Sequence, residues 1–497
     1  MEYTNSNICA LATPQGSGAI GIVRLSGPDV IEIVDKIFVP VGKQRLTDAP
    51  GYKMKYGSIY CGDKLLDEVM VAVFRAPHSY TGENGIEIYC HGSSYILQQI
   101  MMTLMNNGVK MAEPGEFSKR AFLNGKLDLA QAEAVADLIA SETAAAHQVA
   151  LQQMKGGFSN ELKVMRDSLL NLVSMMELEL DFSEEDVEFA DRTELNRLLN
   201  EVTGKVGNLI ESFTLGNVIK NGVPVAIIGA TNTGKSTLLN TLLGEEKAIV
   251  SNIHGTTRDV IEDTVNLGGI TFRFIDTAGI RETKETIEII GIERTYKKLK
   301  QASVVIMVLD ATRPEYFESS LINLSNRLNK DKQKLIILIN KSDVANSNIG
   351  TETEHLQPVN IDLLIERVKN ICAGCNCNSS DSNMEQSPLL SPISVLPISA
   401  KQKLGITSLK ELLISTQNSA QALDANATLV TNARHYQALL DAQIALYRVE
   451  DGLKDQIPTD LVAQDIREAL YHLGSIVGEI NTEEILGNIF SRFCIGK

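Results

Sequence analysis

The chain has 497 residues, enough for about three domains at roughly 150 residues each. Hydrophobic residues make up 44% and charged residues 22%, so several cores can form without disulfide staples. The 62 acidic and 46 basic side chains leave a net charge of −16, which excludes a generally basic nucleic-acid binder; any RNA contact needs a local basic patch or a more basic partner.

The opening Met1-Glu2-Tyr3-Thr4-Asn5-Ser6 has the features of neither a signal peptide nor an Arg-rich transit peptide. Up to residue 118 glycine and proline are frequent. The short apolar runs Ile20–Val23, Val69–Phe74 and Ile86–Tyr89 predict strands separated by turns, hence an α+β domain over 1–118. No proline falls between Pro114 and Pro224, and that gap permits long helices. Leu127, Ala130, Ala134 and Leu138 recur at helical spacing. A second helix is expected over about 160–180, with Leu162, Met165, Leu169, Leu172 and Met176 on one face, and a third from near Glu194. These form a helical region over 119–217. Over 218–417 apolar strands alternate with helices: Val225–Ile228, Phe272–Ile275, Val304–Leu309, Leu335–Ile339 and Val395–Ile398. That alternation predicts a parallel sheet flanked by helices. Helical sequence returns over 418–497, and the two helical stretches are expected to close into one domain around the inserted α/β domain.

Seven cysteines, Cys9, Cys61, Cys90, Cys372, Cys375, Cys377 and Cys494, form no even framework and read as free thiols in a reducing compartment. Residues 372–394 read as an exposed loop insertion; Cys372-x-x-Cys375-x-Cys377 lacks a nearby fourth metal ligand. No run of about 18 apolar residues occurs, so no transmembrane helix is expected. The expected location is cytoplasmic.

The strongest motif is Gly229-Ala230-Thr231-Asn232-Thr233-Gly234-Lys235-Ser236, which follows a predicted strand and precedes the helix opened by Thr237. Its glycines let backbone N–H groups turn around phosphate oxygens. Lys235 is expected at the β- and γ-phosphates, and the Ser236 hydroxyl on Mg²⁺. Asp276-Thr277-Ala278-Gly279 ends the strand Phe272–Ile275, where a carboxylate can hold Mg²⁺ through water and the Gly279 N–H can sense a γ-phosphate. Asn340-Lys341-Ser342-Asp343 ends the next predicted strand but one, and the Asp343 carboxylate suits N1–H and N2–H of guanine, a donor pair adenine lacks. Ser399-Ala400-Lys401 follows the last strand and can offer N–H groups to guanine O6. Four such elements in order, each at a strand's C-terminal end, predict a GTP-binding domain.

Ile280 stands where a water-orienting glutamine follows Gly279 in Ras-like switches, so hydrolysis needs another polar group. Glu282, Glu285 and Glu288 are the candidates. Thr257, in Gly255-Thr256-Thr257-Arg258-Asp259, is placed to complete the Mg²⁺ shell. Arg258 reads equally as an arginine finger or a surface base.

Gly255–Asp259, Asp276–Glu282, the helical Phe122–Ala134 and the terminal Phe493-Cys494-Ile495-Gly496-Lys497 resemble the tRNA modification GTPase MnmE (TrmE) family over essentially the whole chain. The resemblance implies a multidomain α/β protein: an N-terminal α+β folate-binding-like and dimerisation domain, an all-α helical domain, and an inserted Ras-like α/β P-loop GTPase domain. It implies a homodimer working with the FAD protein MnmG (GidA), in a heterotetramer or larger complex, on the wobble uridine of certain tRNAs. By the same resemblance, a 5-formyl-tetrahydrofolate-type one-carbon donor falls to Arg24, Glu87, Lys126 and Lys497. Potassium falls to Asn232, Thr256 and the carbonyls of Ser251 and Ile253. The water-orienting acid becomes Glu288, two residues before Ile290, and Cys494 acts in the modification chemistry. Thr233 stands where the family usually has alanine and is expected to add a hydroxyl near the phosphates. The competing class is a regulatory GTP switch in ribosome assembly. It would need an RNA-binding appendage such as a KH domain, and no G-x-x-G loop stands in such a setting.

Overall fold

A computed structural model describes residues 6–14, 16–181, 192–246, 263–275, 299–329, 333–346, 360–373, 392–417, 428–479, 483–491, 493, 495 and 496. They fall into two compact units. One comprises Met1–Ser141, His147–Ser212 and Thr428–Lys497, the other Glu142–Ala146 and Phe213–Ala427.

The first unit holds a seven-stranded sheet: β1 (Ile8–Leu11), β2 (Ile20–Ser26), β3 (Phe38–Pro40), β4 (Lys53–Cys61), β5 (Lys64–Phe74), β6 (Gly85–His91) and β7 (Lys110–Met111), in the order β3-β4-β5-β6-β2-β1-β7. Neighbours are antiparallel except β1 and β7. Side chains alternate across a strand. Val23, Leu25, Val69, Val71, Ile86 and Ile88 therefore point to one face, where they pack with the helices Val30–Ile37 and Ser94–Asn106. The alternate positions put Arg24 directly opposite Glu87. The sequence reading found β2, β5 and β6 but not β4, whose Lys-Met-Lys-Tyr-Gly-Ser start carries no apolar run.

The helices of this unit come from the stretches of chain before and after the segment that forms the other unit. Leu129–Ala140 starts in a capping box: the Asp128 carboxylate accepts from Gln131 N at 2.8 Å and the Gln131 side chain accepts from Asp128 N at 3.0 Å. Gly157–Asp181 buries Leu162, Met165, Leu169, Leu172 and Met176, the face that the spacing predicts. It packs on Thr459–Val477, which packs on Ala433–Lys454. In the last helix, Glu483–Phe490, Leu486 and Phe490 join Phe493, Leu129 and Ala132 in one apolar cluster.

The second unit is built on β8 (Val223–Ile228), β9 (Asp263–Leu267), β10 (Ile270–Ile275), β11 (Val304–Asp310), β12 (Lys334–Asn340) and β13 (Pro392–Pro397), ordered β13-β12-β11-β8-β10-β9. Only the β9–β10 pair is antiparallel. β8, β11 and β12 are almost continuous apolar runs because both their faces are covered, by two separate cores. β9 escaped the sequence reading: Asp-Thr-Val-Asn-Leu buries only Val265 and Leu267, as an edge strand does. Cys372 corrects the loop expected at 372–394. It is the last residue of the helix Ile361–Cys372 and is buried, because it continues the Leu364–Val368 stripe one turn on. Burial pushes its thiol up to about 11. Cys375 and Cys377 lie outside the described residues. No described helix is long and apolar enough to cross a membrane.

Candidate functional site

In a parallel sheet, ligands bind beyond the carboxyl ends of the strands. There the structure brings together the loop after β8, the loop after β12 and the loop after β13. The first runs from Gly229 to Gly234 and opens the helix Lys235–Glu246, whose free N–H groups favour an anion. Gly234 has φ +96, and a Cβ there would lie 2.2 Å from Asn340 Nδ2; Gly229 has φ +152 and would meet Val308 O at 2.4 Å. Only glycine fits either place. Asn232 is left-handed at φ +63 and exposed.

Lys235 Nζ donates to Gly229 O at 2.9 Å and Ala230 O at 2.7 Å, which holds the ammonium over the loop. Burial pushes its pKa down from the ordinary lysine value. Ser236 and Thr237 stand in the first turn, and the Thr237 carbonyl accepts from Thr241. The Thr233 hydroxyl is buried and donates to Ala230 O at 3.0 Å, bracing the loop from within. Beside the loop lies a cavity of about 200 Å³, walled by Asp310, Arg313, Tyr316 and Phe317.

Asn340 ties the three loops together. Its Nδ2 donates to Thr233 O at 2.8 Å and its Oδ1 accepts from Ala400 N at 3.0 Å, and it is 3% exposed. Ala400 O in turn accepts from Thr241 Oγ1 at 3.0 Å, and Ser399 pairs with Leu404 through both backbone groups. Lys401 is exposed. Lys341 is left-handed at φ +65 and its Nζ lies 2.7 Å from Asp310 Oδ2. Asp343 is partly exposed, and its Oδ2 accepts from Gln402 Nε2 at 3.2 Å. Asp310 and Gln402 were not singled out from sequence. The available signal for Asp310 was an acid ending an otherwise apolar strand. Ser251, Ile253, Thr256, Thr257, Asp276, Thr277, Ala278, Gly279 and Glu288 lie outside the described residues, so their relation to this cradle is not described.

The other group of expected residues lies on the N-terminal sheet. Arg24 Nε and Nη2 bond Glu87 Oε1 at 2.9 and 2.8 Å, and Tyr89 OH donates to Glu87 Oε2 at 2.7 Å. That hydrogen bond, with burial, pushes the Tyr89 hydroxyl up to about 12. The Arg24 guanidinium stands 5.9 Å from the Tyr80 ring centre and 6.0 Å from that of Phe117. Lys126 Nζ donates to Pro77 O at 3.1 Å, on the same β5–β6 connection that carries Tyr80. Arg24 Nη1 also donates to Gly496 O at 3.2 Å, so the tail reaches this site. Cys494 and Lys497 themselves lie outside the described residues. Tyr80, Phe117 and Tyr89, which stand around the Arg24–Glu87 pair, were not singled out from sequence.

Comparison with known proteins adds the family. The family model of the MnmE helical domain matches residues 129–494, and that of the GTP-binding protein TrmE N-terminus matches residues 7–126. The chain is 52% identical over 493 residues to the tRNA modification GTPase MnmE of Bacteroides fragilis, with 99% of each chain covered. It is 50% identical over 493 residues to the protein of that name from Bacteroides thetaiotaomicron, and 49% over 497 residues to that of Flavobacterium johnsoniae, again with 99% of each covered. With the strand-end loops joined through Asn340 and this likeness running the length of the chain, the chain belongs to the tRNA modification GTPase MnmE family.

Proposed function

We propose that the chain is a K⁺-dependent GTP hydrolase that works as a cytoplasmic homodimer with the FAD protein MnmG (GidA). Together they form an aminomethyl or carboxymethylaminomethyl group at C5 of the wobble uridine, position 34, of certain tRNAs. The observation that carries the nucleotide part is the Asn340 side chain, which locks the phosphate loop to the Ser399–Lys401 loop. The tRNA part is supported by the relatives named for that activity.

Hydrolysis breaks the bond between the β–γ bridging oxygen and the γ-phosphorus of GTP and gives GDP and phosphate, with water as nucleophile. Lys235 and the N–H groups of the loop hold the β- and γ-oxygens. Asp343 accepts from the guanine N–H pair, and the Ala400 and Lys401 backbone faces O6. Glu288 orients the attacking water and takes its proton. Mg²⁺ on Ser236 and Thr257, and K⁺ on Asn232, Thr256 and the Ser251 and Ile253 carbonyls, would neutralise charge growing on the phosphate oxygens. The described members of those sets, Ser236 and Asn232, offer the hard oxygen donors such ions take. On the N-terminal sheet, Arg24, Glu87 and Lys126, with Lys497, would hold the one-carbon donor, 5-formyl-tetrahydrofolate in type. Cys494 would serve the modification step.

Turnover in K⁺ against Na⁺ tests the reading. Replacing K⁺ by Na⁺ is expected to slow hydrolysis by about tenfold or more and to leave nucleotide affinity nearly unchanged, because the charge is needed where it develops in the transition state. Equal rates in the two salts would defeat the cation site.

A further inference from the structure

We propose that Asp310 is a positioning residue for guanine recognition, acting through Lys341 on the loop that carries Asp343; this rests on the nucleotide reading above. β11 and β12 run parallel in register, so Asp310 sits beside Asn340 at the common strand end, and Ala311 N donates to Asn340 O at 2.9 Å. Both carboxylate oxygens are engaged. Oδ1 accepts from Thr312 N at 3.0 Å and Thr312 Oγ1 at 2.7 Å, and Oδ2 accepts from Lys341 Nζ at 2.7 Å. The Asp310 side chain is 8% exposed and that of Lys341 35%. The pair is thus an anchored, buried acid holding a more exposed base. Burial alone would raise the Asp310 carboxyl, but the bonds from Lys341 and Thr312 outweigh it and hold it below the ordinary carboxylate range.

Lys341 needs the anchor. Its φ of +65 is a backbone state that a residue with a side chain adopts at a cost. Three consecutive residues are fastened to three different strand ends. Asn340 is bonded to the phosphate loop and to Ala400, Lys341 to Asp310, and Ser342 N to Ile398 O at 3.1 Å. Asp343 follows at once, in the first turn of the short helix Ser342–Asn346. Its carboxylate reads guanine only if that turn is fixed. Without the Asp310 charge, Lys341 can relax toward negative φ and carry Asp343 away from the base. Among the described residues the Asp310 carboxylate bonds Thr312 and Lys341 and no other member of the nucleotide cradle, so its effect is on binding and base choice, not on the bond-breaking step.

The test is equilibrium binding of GDP and IDP to the full-length chain, wild type, Asp310→Asn, Lys341→Met and the double variant. IDP lacks the guanine 2-amino group and can give Asp343 one hydrogen bond where GDP gives two. Asp310→Asn is expected to weaken GDP by about tenfold and IDP by only about threefold, so the preference for guanine shrinks. In the double variant the loss should match that of Lys341→Met alone, because one residue acts through the other. Thr312→Val, which removes one bond to Asp310, should shift GDP in the same direction by less, and it serves if Asp310→Asn folds poorly. Equal weakening of GDP and IDP, no weakening, or additive losses in the double variant would overturn the proposal. A wild-type chain that does not prefer GDP to ADP would instead sink the nucleotide reading on which it rests.

Discussion

Glu288→Ala is expected to lower the kcat of GTP hydrolysis by roughly 10²–10⁴-fold, the range for losing a group that orients and deprotonates water. The GTP dissociation constant should stay nearly unchanged, because the side chain is assigned to the water and not to the nucleotide. Ile280 after Gly279 has no polar atom to do this work. Three acids downstream could replace it, and the family pattern before Ile290-Gly291-Ile292-Glu293-Arg294 selects Glu288 among Glu282, Glu285 and Glu288. Single-turnover hydrolysis at saturating GTP, with nucleotide binding measured in parallel, separates the two effects. If Glu282→Ala or Glu285→Ala produced the loss and Glu288→Ala did not, the assignment would be wrong.

Glu133→Gln should be the most destabilising conservative change in the helical part, by about 3–5 kcal/mol, the usual cost of breaking a buried ion pair from one side. Glu133 Oε2 lies 2.6 Å from His435 Nε2 and 3.0 Å from Arg434 Nη2, and Oε1 accepts from Arg434 Nε at 3.1 Å. Arg434 also donates to the Ser475 and Ile476 carbonyls, so the cluster joins three helices: Leu129–Ala140, Ala433–Lys454 and Thr459–Val477. Burial by itself would raise the Glu133 carboxyl; attraction and hydrogen bonds from His435, then from Arg434, outweigh it and leave it at about 2. The folded value is thus below the unfolded one of roughly 4.3. A depressed carboxylate stabilises the fold above its unfolded pKa, and that contribution drains away as the pH falls toward the folded value. Denaturant unfolding should therefore show the full gap between wild type and Glu133→Gln at pH 7, narrowing below about pH 4. A gap independent of pH would mean that packing, not charge, accounts for it.

The fold was legible where one physical rule dominates. Strands buried on both faces must be apolar throughout, and β8, β11 and β12 stand out as such runs. The helix Gly157–Asp181 buries one stripe, and the stripe is visible as spacing. The strands β4 and β9 were not legible, because one-sided burial gives an alternation too short or too polar to separate from a turn. At the site, the phosphate loop could be read because backbone geometry demands glycine at fixed places. What Asn340 and Lys341 do could not be read. The structure has Asn340 bonded to Thr233 and Ala400, and Lys341 bonded to Asp310. Those partners lie 31 to 107 positions away, and no local pattern encodes a contact at that separation. The Arg24–Glu87 pair is of the same kind, since it arises from the register of β2 on β6. Spacing did not distinguish either residue from an ordinary surface charge; only the family resemblance singled them out.

The chain is proposed to act in tRNA wobble-uridine modification, with Cys494 serving the modification step. Mass spectrometry of position-34 nucleosides tests it most directly, in tRNA from cells lacking the chain and from the same cells carrying the wild-type or the Cys494→Ser form. The C5-aminomethyl-type nucleosides are expected to disappear without the chain, return with the wild type and not return with Cys494→Ser. Unchanged wobble uridines in cells lacking the chain would contradict it, and would leave a GTP switch with another target.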